Sequence, residues 1–272
     1  MKKYTNRVLV SFSGRCPLEC KHCYTLDSDC HKNIQDMDEI EQIIAAVRGL
    51  TFDIIYISHD RENFIDEQAG VQLTEELYET FHKSILIITR KCLSQETVIQ
   101  LAALSKRMAN NDHTLFVAVS IPANSSYGIT ENRDRIATPL DRCELLKRLH
   151  LNGINSIFLA RPIFPNSIIP IYEVIEMISS YHDYIDAVVA SGLAVNDSIL
   201  ERLALSEDRF KFLPGNHSNF LIGSSAKNIK YIDVNSELTI IEKECNEKEI
   251  VFSTHSMDAL NKLEYRAHYS RS

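Results

Sequence analysis

Short apolar runs and amphipathic stretches alternate along the first three quarters of the chain. Six runs rich in aliphatic and β-branched residues predict strands, and they cover residues 8–13, 53–58, 85–89, 115–120, 156–160 and 187–190. Each run is followed by apolar positions at helical spacing, which predict helices over residues 37–50, 74–81, 94–109, 139–151, 171–181 and 197–205. This alternation of strands and helices indicates an α/β fold.

The predicted strands are nearly continuous in apolar character, which is typical of a parallel sheet covered by helices. Helix-end signals agree with this order, because Ser94 is a favourable N-cap residue and Asn152 with Gly153 forms a favourable helix end. Right-handed crossovers would curl such a sheet into a partial (β/α)6 TIM-like barrel. A flat, doubly wound sheet is the alternative, and the periodicity does not separate the two.

The alternation breaks after Phe210. Residues 231–234 and 238–241, joined by the polar segment 235–237, predict a β-hairpin, whereas residues 252–256 fit no pattern. We therefore expect two parts: a partial barrel over residues 1–209, and a small hairpin/helix extension over residues 210–272 that packs on it.

The charge balance limits the partners that the chain can have. Its 29 Lys and Arg residues against 37 Asp and Glu residues give a formal net charge of −8, so binding to duplex nucleic acid through many phosphate contacts is not expected. No apolar run approaches the roughly 18 residues that a membrane span needs, and the apolar stretch after the basic N-terminus is too short for a signal peptide. We expect a cytoplasmic protein with no membrane partner.

Three of the seven cysteines lie close together directly after the first predicted strand. Cys16, Cys20 and Cys23 have the spacing C-x3-C-x2-C, and thiolates this close favour a soft metal. Zinc usually takes four ligands, and no further Cys or His pair with zinc-finger spacing lies nearby to complete such a site. Three thiolates on one loop suit a [4Fe–4S] cluster that leaves one iron free to bind another ligand.

This motif resembles that of the radical S-adenosylmethionine superfamily, in which the amino and carboxylate groups of S-adenosylmethionine occupy the fourth iron. The resemblance implies an oxygen-sensitive [4Fe–4S] cluster held by Cys16, Cys20 and Cys23, with S-adenosylmethionine as the second cofactor. It also implies that His22, which precedes the third cysteine, lies beside the adenine. Cys30, a few residues later, is interpreted as a loop thiol outside the cluster, because a fourth protein ligand would close the open iron.

Further segments are similar to the spore photoproduct lyase branch and its photolyase-like relatives. The resemblance implies that Ser120, Arg142 and Arg161 contact the ribose and carboxylate of S-adenosylmethionine, with Lys91 as a further candidate. The segments that carry it are Leu73-Thr74, residues 87–91, residues 119–122, Glu131, Pro139 with Arg142 and Leu149, residues 152–154 and residues 161–165.

The segment after the second predicted strand departs from the superfamily. Many members carry Gly-Gly-Glu there, which holds the methionine amino group, but this chain has no glycine pair. Ser58 and either Asp60 or Glu62 are the candidates for that contact, and the spacing does not choose between the two acids. His59 could assist proton transfer, and Cys92, which follows the third predicted strand, is the candidate for the hydrogen-donating thiol of a lyase-type site.

The resemblance implies an enzyme that reductively cleaves S-adenosylmethionine to a 5′-deoxyadenosyl radical, which abstracts hydrogen from a small-molecule or peptide substrate. An electron donor such as flavodoxin or ferredoxin would be its protein partner. Two alternatives stay open at this point. One is repair or modification of a nucleic-acid lesion, and the other is a non-catalytic iron–sulfur or zinc-binding module.

Overall fold

The computed structural model describes residues 3–27, 39–58, 60–214 and 229–269. Its strands are β1 (Arg7–Val10), β2 (Ile54–Ile57), β3 (Ser84–Thr89), β4 (Leu115–Ser120), β5 (Asn155–Ile163), β6 (Ala187–Gly192), β7 (Ala194–Val195), β8 (Lys230–Tyr231) and β9 (Val251–Ser253). Its α-helices are α1 (Glu39–Val47), α2 (Glu67–Phe81), α3 (Gln95–Ala109), α4 (Asn124–Thr130), α5 (Pro139–Leu151), α6 (Tyr172–Tyr181), α7 (Asp197–Leu203), α8 (Asn235–Glu247) and α9 (Ser256–Tyr269).

Seven strands form one parallel sheet in the order β1-β2-β3-β4-β5-β6-β9. Each of the first six strands lies beside its neighbour in the chain, which is the strand order of a singly wound barrel and not of a doubly wound sheet. Among the described residues β1 and β9 do not pair, so the barrel is open. The predicted partial TIM-like barrel is confirmed.

Alternate strand residues belong to two separate hydrophobic clusters, as the pleat of a strand requires. On β2, Ile55 and Ile57 pack into the larger cluster, which the helices on the outer face complete, while Ile54 and Tyr56 belong to the inner cluster. Both faces of the sheet are therefore buried. No helix in the described ranges combines the length and the apolar character that a membrane crossing would need.

The prediction of a β-hairpin over residues 231–241 is wrong. Residues 235–247 form α8, and only the short β8 pairs with β7 in an antiparallel arrangement. The run Leu238–Ile241 resembles a strand locally, but Leu238, Ile241 and Cys245 have helical spacing, and Ile241 and Cys245 are fully buried. The unassigned segment 252–256 overlaps with β9, which extends the barrel sheet beyond β6.

Two helix starts within the predicted barrel, residues 1–209, were missed by the sequence analysis. Helix α2 begins at Glu67 instead of residue 74, because the Asp66 side chain caps it by accepting a hydrogen bond from the Ala69 amide at 3.0 Å. Helix α4 was not predicted at all. In contrast, Ser94 caps α3, and the predicted bounds of α5 are confirmed.

The last helix fills the interior of the barrel at the amino ends of the strands. Ala259, Leu260 and Leu263 of α9 pack into the inner cluster with the first inward residues of the strands. Asn261 fixes α9 to the start of the chain, since its side chain accepts from the Tyr4 amide at 2.8 Å and donates to the Tyr4 carbonyl at 2.9 Å. The floor of the barrel is thus closed by the C-terminal helix.

Candidate functional site

A pocket of about 660 Å³ lies at the carboxyl ends of the strands, where parallel barrels build their sites. We call its two sides the near wall and the far wall. The near wall consists of lining residues within 16–26, 58, 60–62 and 88–90, and the far wall of lining residues within 159–162, 191–194, 213, 231–238 and 254–255. Gly192 makes the far wall possible, because a Cβ there would lie 2.7 Å from the Ile232 carbonyl oxygen.

Cys16, Cys20 and Cys23 all line the near wall. A turn brings the last two together, since the Cys23 amide donates to the Cys20 carbonyl at 2.9 Å. The Glu62 amide lies 3.5 Å from the Cys16 sulfur, and the Cys23 sulfur lies 2.9 Å from the Thr25 hydroxyl. One amide and one hydroxyl group therefore already contact the sulfurs, and hydrogen bonds to sulfur are common around iron–sulfur clusters.

The backbone of this cysteine loop is held from outside. Arg202 on α7 donates to the Lys21 carbonyl and the Cys23 carbonyl, each at 2.9 Å. Arg135 donates to the Pro17 carbonyl at 2.9 Å. These bonds fix carbonyl groups on both sides of Cys20, so the loop is ordered by contacts that do not involve a metal.

The donor set fits a [4Fe–4S] cluster. Three thiol sulfurs face one pocket, and each could bind a separate iron. Among the described residues no group of three His, Cys, Asp or Glu side chains is close enough to hold a single metal ion. Burial raises the pKa of the Cys20 thiol to about 12, while the Arg90 charge acts in the opposite direction. Bound iron would hold the sulfurs as thiolates regardless.

His22 is held as a neutral ring beside these thiols. Its Nδ1 lies 3.0 Å from the Thr130 carbonyl, to which it donates, and its Nε2 lies 3.4 Å from Nη2 of Arg90. Burial, reinforced by the Arg90 charge, lowers the pKa of His22 to about 4. At neutral pH the ring is an uncharged aromatic surface on the near wall.

Asp60 and Glu62 differ in how their oxygens are used. Both oxygens of the buried Glu62 are occupied: Oε1 accepts from the Phe64 amide at 3.1 Å, and Oε2 accepts from the Thr89 hydroxyl at 3.0 Å and from the Arg90 amide at 2.8 Å. Burial nevertheless raises the pKa of this carboxyl. Asp60 is exposed and accepts from the Tyr24 hydroxyl at 2.7 Å. Glu62 therefore ties the loop after β2 to β3, while Asp60 presents its carboxylate at the pocket.

Ser58 lies between these groups and the strand. Its backbone has φ 68°, in the left-handed region that non-glycine residues rarely adopt, and its hydroxyl accepts from the Asn63 amide at 3.1 Å. Ser58 lines the pocket together with Asp60 and Glu62. The structure thus brings all three described candidates from this loop to the near wall.

Arg142 and Ser120 lie behind the near wall and do not line the pocket. Arg142 is fully buried and makes a two-point ion pair with Glu131, at 3.2 Å from Nη1 to Oε1 and 2.6 Å from Nη2 to Oε2. Its Nη1 also donates to the Ser120 carbonyl. Glu131 is shared, because Nε of Arg90 lies 3.3 Å from its Oε1. The guanidinium of Arg142 is thus used within the protein.

The remaining candidates fall elsewhere. Lys91 does not line the pocket, and neither does Cys92 in the part of the chain that the structure describes. The Cys92 sulfur faces α5, at 3.5 Å from the Asp141 carbonyl and 3.2 Å from Nη2 of Arg148. His59 and Cys30 lie outside the described residues. Their roles stay predictions.

Arg161 is the sequence-predicted residue that reaches the far wall. Its Nη2 donates to the Thr254 carbonyl at 3.1 Å, after β9. Burial lowers the pKa of Arg161 to about 10, so the side chain remains charged at neutral pH.

Two lining residues of the near wall, Tyr24 and Arg90, were not singled out as site residues, and neither was Glu131 behind that wall. Arg90 follows Leu86 and Ile88 at alternate positions, so the period of a strand would have placed it inside the barrel. Glu131 lies in the loop after the unpredicted α4, and its partners come from distant segments. The resemblance to the spore photoproduct lyase branch includes Glu131, but no local pattern shows that it pairs with Arg90 and Arg142.

No family model matches the chain, and no curated protein is significantly similar to it in sequence. Solved structures do resemble it. A mutant of spore photoproduct lyase superposes with a TM-score of 0.63 at 11% identity, covering 91% of this chain and 76% of that one. The same enzyme complexed with dinucleoside spore photoproduct gives 0.61 at 13% identity, covering 89% and 74%.

Two other solved structures extend the comparison. Methylornithine synthase (PylB) gives a TM-score of 0.54 at 15% identity, covering 98% of this chain and 70% of that one. Streptococcus suis SuiB bound to S-adenosylmethionine also gives 0.54, at 14% identity, covering 93% and 51%. Because one of the matched structures is complexed with dinucleoside spore photoproduct, the expectation against duplex nucleic acid is not borne out by the comparison. All these proteins are radical S-adenosylmethionine enzymes, and the chain has their fold, including that of the spore photoproduct lyase branch.

Proposed function

We propose that this chain is a radical S-adenosylmethionine enzyme that acts on a small-molecule or peptide substrate. One observation carries the proposal: three cysteine thiols line one wall of a single pocket at the carboxyl end of an open parallel barrel. The pocket volume of about 660 Å³ is within the range of roughly 300–1,000 Å³ that sites for organic ligands occupy. It therefore has room for a cofactor and for part of a substrate.

Cys16, Cys20 and Cys23 would hold the cluster. When bound, the cluster would supply the electron that cleaves S-adenosylmethionine and generates the 5′-deoxyadenosyl radical, which takes a hydrogen atom from the substrate. The chain's own part is to hold the loop still through Arg202 and Arg135. Of the three thiols, Cys20 is buried and Cys16 and Cys23 are partly buried, which limits the contact of the sulfurs with water.

The near wall supplies contacts for each end of S-adenosylmethionine. Asp60, with Ser58 beside it, would accept hydrogen bonds from the methionine amino group, because its carboxylate is exposed at the pocket whereas Glu62 is buried and tied to β3. Arg90 would face the carboxylate, since it lies beside Cys20 and His22. The neutral ring of His22 would lie against the adenine. Arg142 would act through Glu131 as a positioning residue for Arg90.

A second candidate function is repair or modification of a nucleic-acid lesion. The observation that favours it is the fold similarity to spore photoproduct lyase complexed with dinucleoside spore photoproduct, at a TM-score of 0.61 over 89% of this chain. A dinucleoside presents far fewer phosphates than a duplex, so the net charge of −8 opposes it less. In either case an external electron donor, such as flavodoxin or ferredoxin, would be required.

Electron paramagnetic resonance of the reduced protein tests the proposal. The chain is reconstituted anaerobically with iron and sulfide, reduced with dithionite, and measured with and without S-adenosylmethionine. We expect a reduced-cluster signal that changes shape when S-adenosylmethionine binds the open iron. Cys23→Ala should lose the signal, while Cys245→Ala, which removes a buried thiol of α8 outside the pocket, should keep it. A spectrum that S-adenosylmethionine does not alter would favour the non-catalytic binding module.

A further inference from the structure

Charged side chains are unevenly distributed around the pocket. The near wall carries both signs: Glu19, Asp60 and Glu62 with Arg61 and Arg90. Among the described lining residues of the far wall, the acids are absent and Arg161 is the one arginine. A ligand that spans the pocket therefore meets mixed charge at one end and positive charge at the other.

The strand pattern directs Arg161 into the barrel. Ile157 and Leu159 of β5 belong to the inner cluster, so Arg161, two residues further on, points to the same side. One of its nitrogens reaches the Thr254 carbonyl at 3.1 Å, while its buried Nε has no hydrogen-bond partner among the described residues. None of the ion pairs within the described ranges includes Arg161.

This arrangement differs from that of a structural buried arginine. Desolvating a cation without a carboxylate is costly, and folded proteins normally pair such a charge. Arg142 shows the usual solution in this chain, with Glu131 bound at two points. Burial without a carboxylate partner also explains why the pKa of Arg161 is lowered, since burial is the main cause of that shift. A charge held this way at a pocket is typical of a ligand-binding residue.

We infer that the far wall binds an anionic group of the substrate, a carboxylate or a phosphate, through Arg161. The inference rests on the proposed function and adds the substrate class to it. The planar guanidinium matches either oxyanion with parallel hydrogen bonds. Ser191, Tyr231 and Asn235 line the same wall and add hydroxyl and amide groups around it.

The alternative ligand for Arg161 is the carboxylate of S-adenosylmethionine itself. That carboxylate must lie at the open iron, next to the near-wall thiols. Arg90 occupies that position, because it lies beside His22 and its charge acts on Cys20. Arg161 comes from β5 and is fixed to the segment after β9. The two arginines thus come from opposite walls of the pocket, and they are near enough for the Arg90 charge to add to the effect of burial in lowering the pKa of Arg161.

Line-broadening titrations test the inference with two probes, inorganic phosphate followed by its ³¹P signal and ¹³C-labelled acetate. Both are added to the reconstituted protein, with and without saturating S-adenosylmethionine. We expect at least one probe to bind, and Arg161→Gln to raise its dissociation constant about tenfold or more. Arg161→Lys should keep part of the affinity because it keeps the charge. Arg107→Gln, which removes a half-exposed arginine of α3, is the control and should bind as the wild type does.

The titrations with S-adenosylmethionine present show whether Arg161 binds the substrate or the carboxylate of S-adenosylmethionine. A substrate subsite predicts that the probe binds equally well or better when S-adenosylmethionine is present. Competition between the probe and S-adenosylmethionine would overturn the inference, and so would binding that Arg161→Gln leaves unchanged. Neither result would change the electron paramagnetic resonance test of the proposed function. The far-wall inference and the proposed function can therefore fail separately. Stronger binding of phosphate points to a nucleotide-like substrate, and stronger binding of acetate to a carboxylic acid or peptide.

Discussion

The two walls of the pocket treat buried charge in opposite ways. Behind the near wall, Glu131 pairs with Arg90 and Arg142, and on the wall itself both oxygens of Glu62 accept hydrogen bonds from the chain. On the far wall, Arg161 has one carbonyl partner and no carboxylate among the described residues. The difference indicates that the near wall is assembled before any ligand binds, whereas the far wall obtains its counter-charge from a ligand.

This difference between the walls suits an enzyme in which the cofactor stays bound at one wall while the substrate enters and leaves at the other. The cofactor must be held in one geometry, which favours side chains locked by their own hydrogen bonds. The substrate must enter and leave, which favours a charge that is satisfied only in the complex. The C-terminal part of the chain supplies much of the far wall, through β8, the start of α8 and the residues after β9.

The largest effect should come from removing a near-wall thiol. Cys20→Ala takes away one of three proposed iron ligands, so we expect iron after anaerobic reconstitution to fall from about four per chain to nearly none. Cys30→Ala should keep about four, since the spacing assigns Cys30 no ligand role. Iron analysis and the visible absorption spectrum measure both. Equal loss in the two variants would contradict the ligand assignment.

The next effect concerns the charge network behind the near wall. Glu131→Gln leaves Arg90 and Arg142 without a carboxylate, so we expect a loss of about 3–5 kcal/mol in the free energy of unfolding. The matched control is Glu75→Gln, which breaks an exposed pair with Arg107 and should cost no more than about 1 kcal/mol. Urea unfolding followed by circular dichroism gives both values. Similar losses in the two variants would show that the network contributes no more than a surface pair.

A smaller effect is expected at the cofactor amine. Asp60→Asn removes the charge that we assign to the methionine amino group, which should weaken S-adenosylmethionine binding by roughly 1.5–3 kcal/mol, or about 10- to 100-fold. Asp183→Asn, an exposed acid outside the pocket, serves as the charge-matched control. Isothermal titration calorimetry on the reconstituted protein compares them. Unchanged affinity in Asp60→Asn would return the assignment to Glu62.

The smallest effect on the free energy of unfolding is expected for Arg161→Gln, and it distinguishes the far wall from the charge network behind the near wall. Because burial lowers the pKa of Arg161 to about 10, its positive charge destabilises the folded state at neutral pH. Arg161→Gln loses the bond to Thr254 but also removes that penalty, so we expect a change within about 1 kcal/mol in either direction. The same urea titrations measure it. A loss as large as that of Glu131→Gln would mean that Arg161 has a structural partner.

Much of the fold followed from local patterns, because parallel strands and their helices differ in period. The six strands and the helix α5 are examples, and Cys16, Cys20 and Cys23 are recognisable from spacing alone. The α8 segment was misread because its β-branched run looks like a strand over four residues and like a helix only over a longer window. A short window favours the wrong period there.

The site could be predicted only in part, for a different reason. Arg142 and Arg161 look alike in the sequence, as arginines near the ends of neighbouring elements. What separates them is the ion pair of Arg142 with Glu131, a pairing that the sequence resemblance did not indicate. Likewise, the choice between Asp60 and Glu62 depends on Thr89, the last residue of β3, and on Arg90 directly after it. Long-range partners decide the role of each charge, and spacing does not encode them.

The most direct test of the central claim is the formation of 5′-deoxyadenosine. The reconstituted protein is incubated anaerobically with dithionite and S-adenosylmethionine, and the products are separated by liquid chromatography. We predict slow turnover even without the substrate, because electron transfer to bound S-adenosylmethionine does not need the substrate carbon, and we predict its loss in Cys23→Ala. If a protein with a fully loaded cluster yields no 5′-deoxyadenosine above the protein-free control, the chain is not a radical S-adenosylmethionine enzyme.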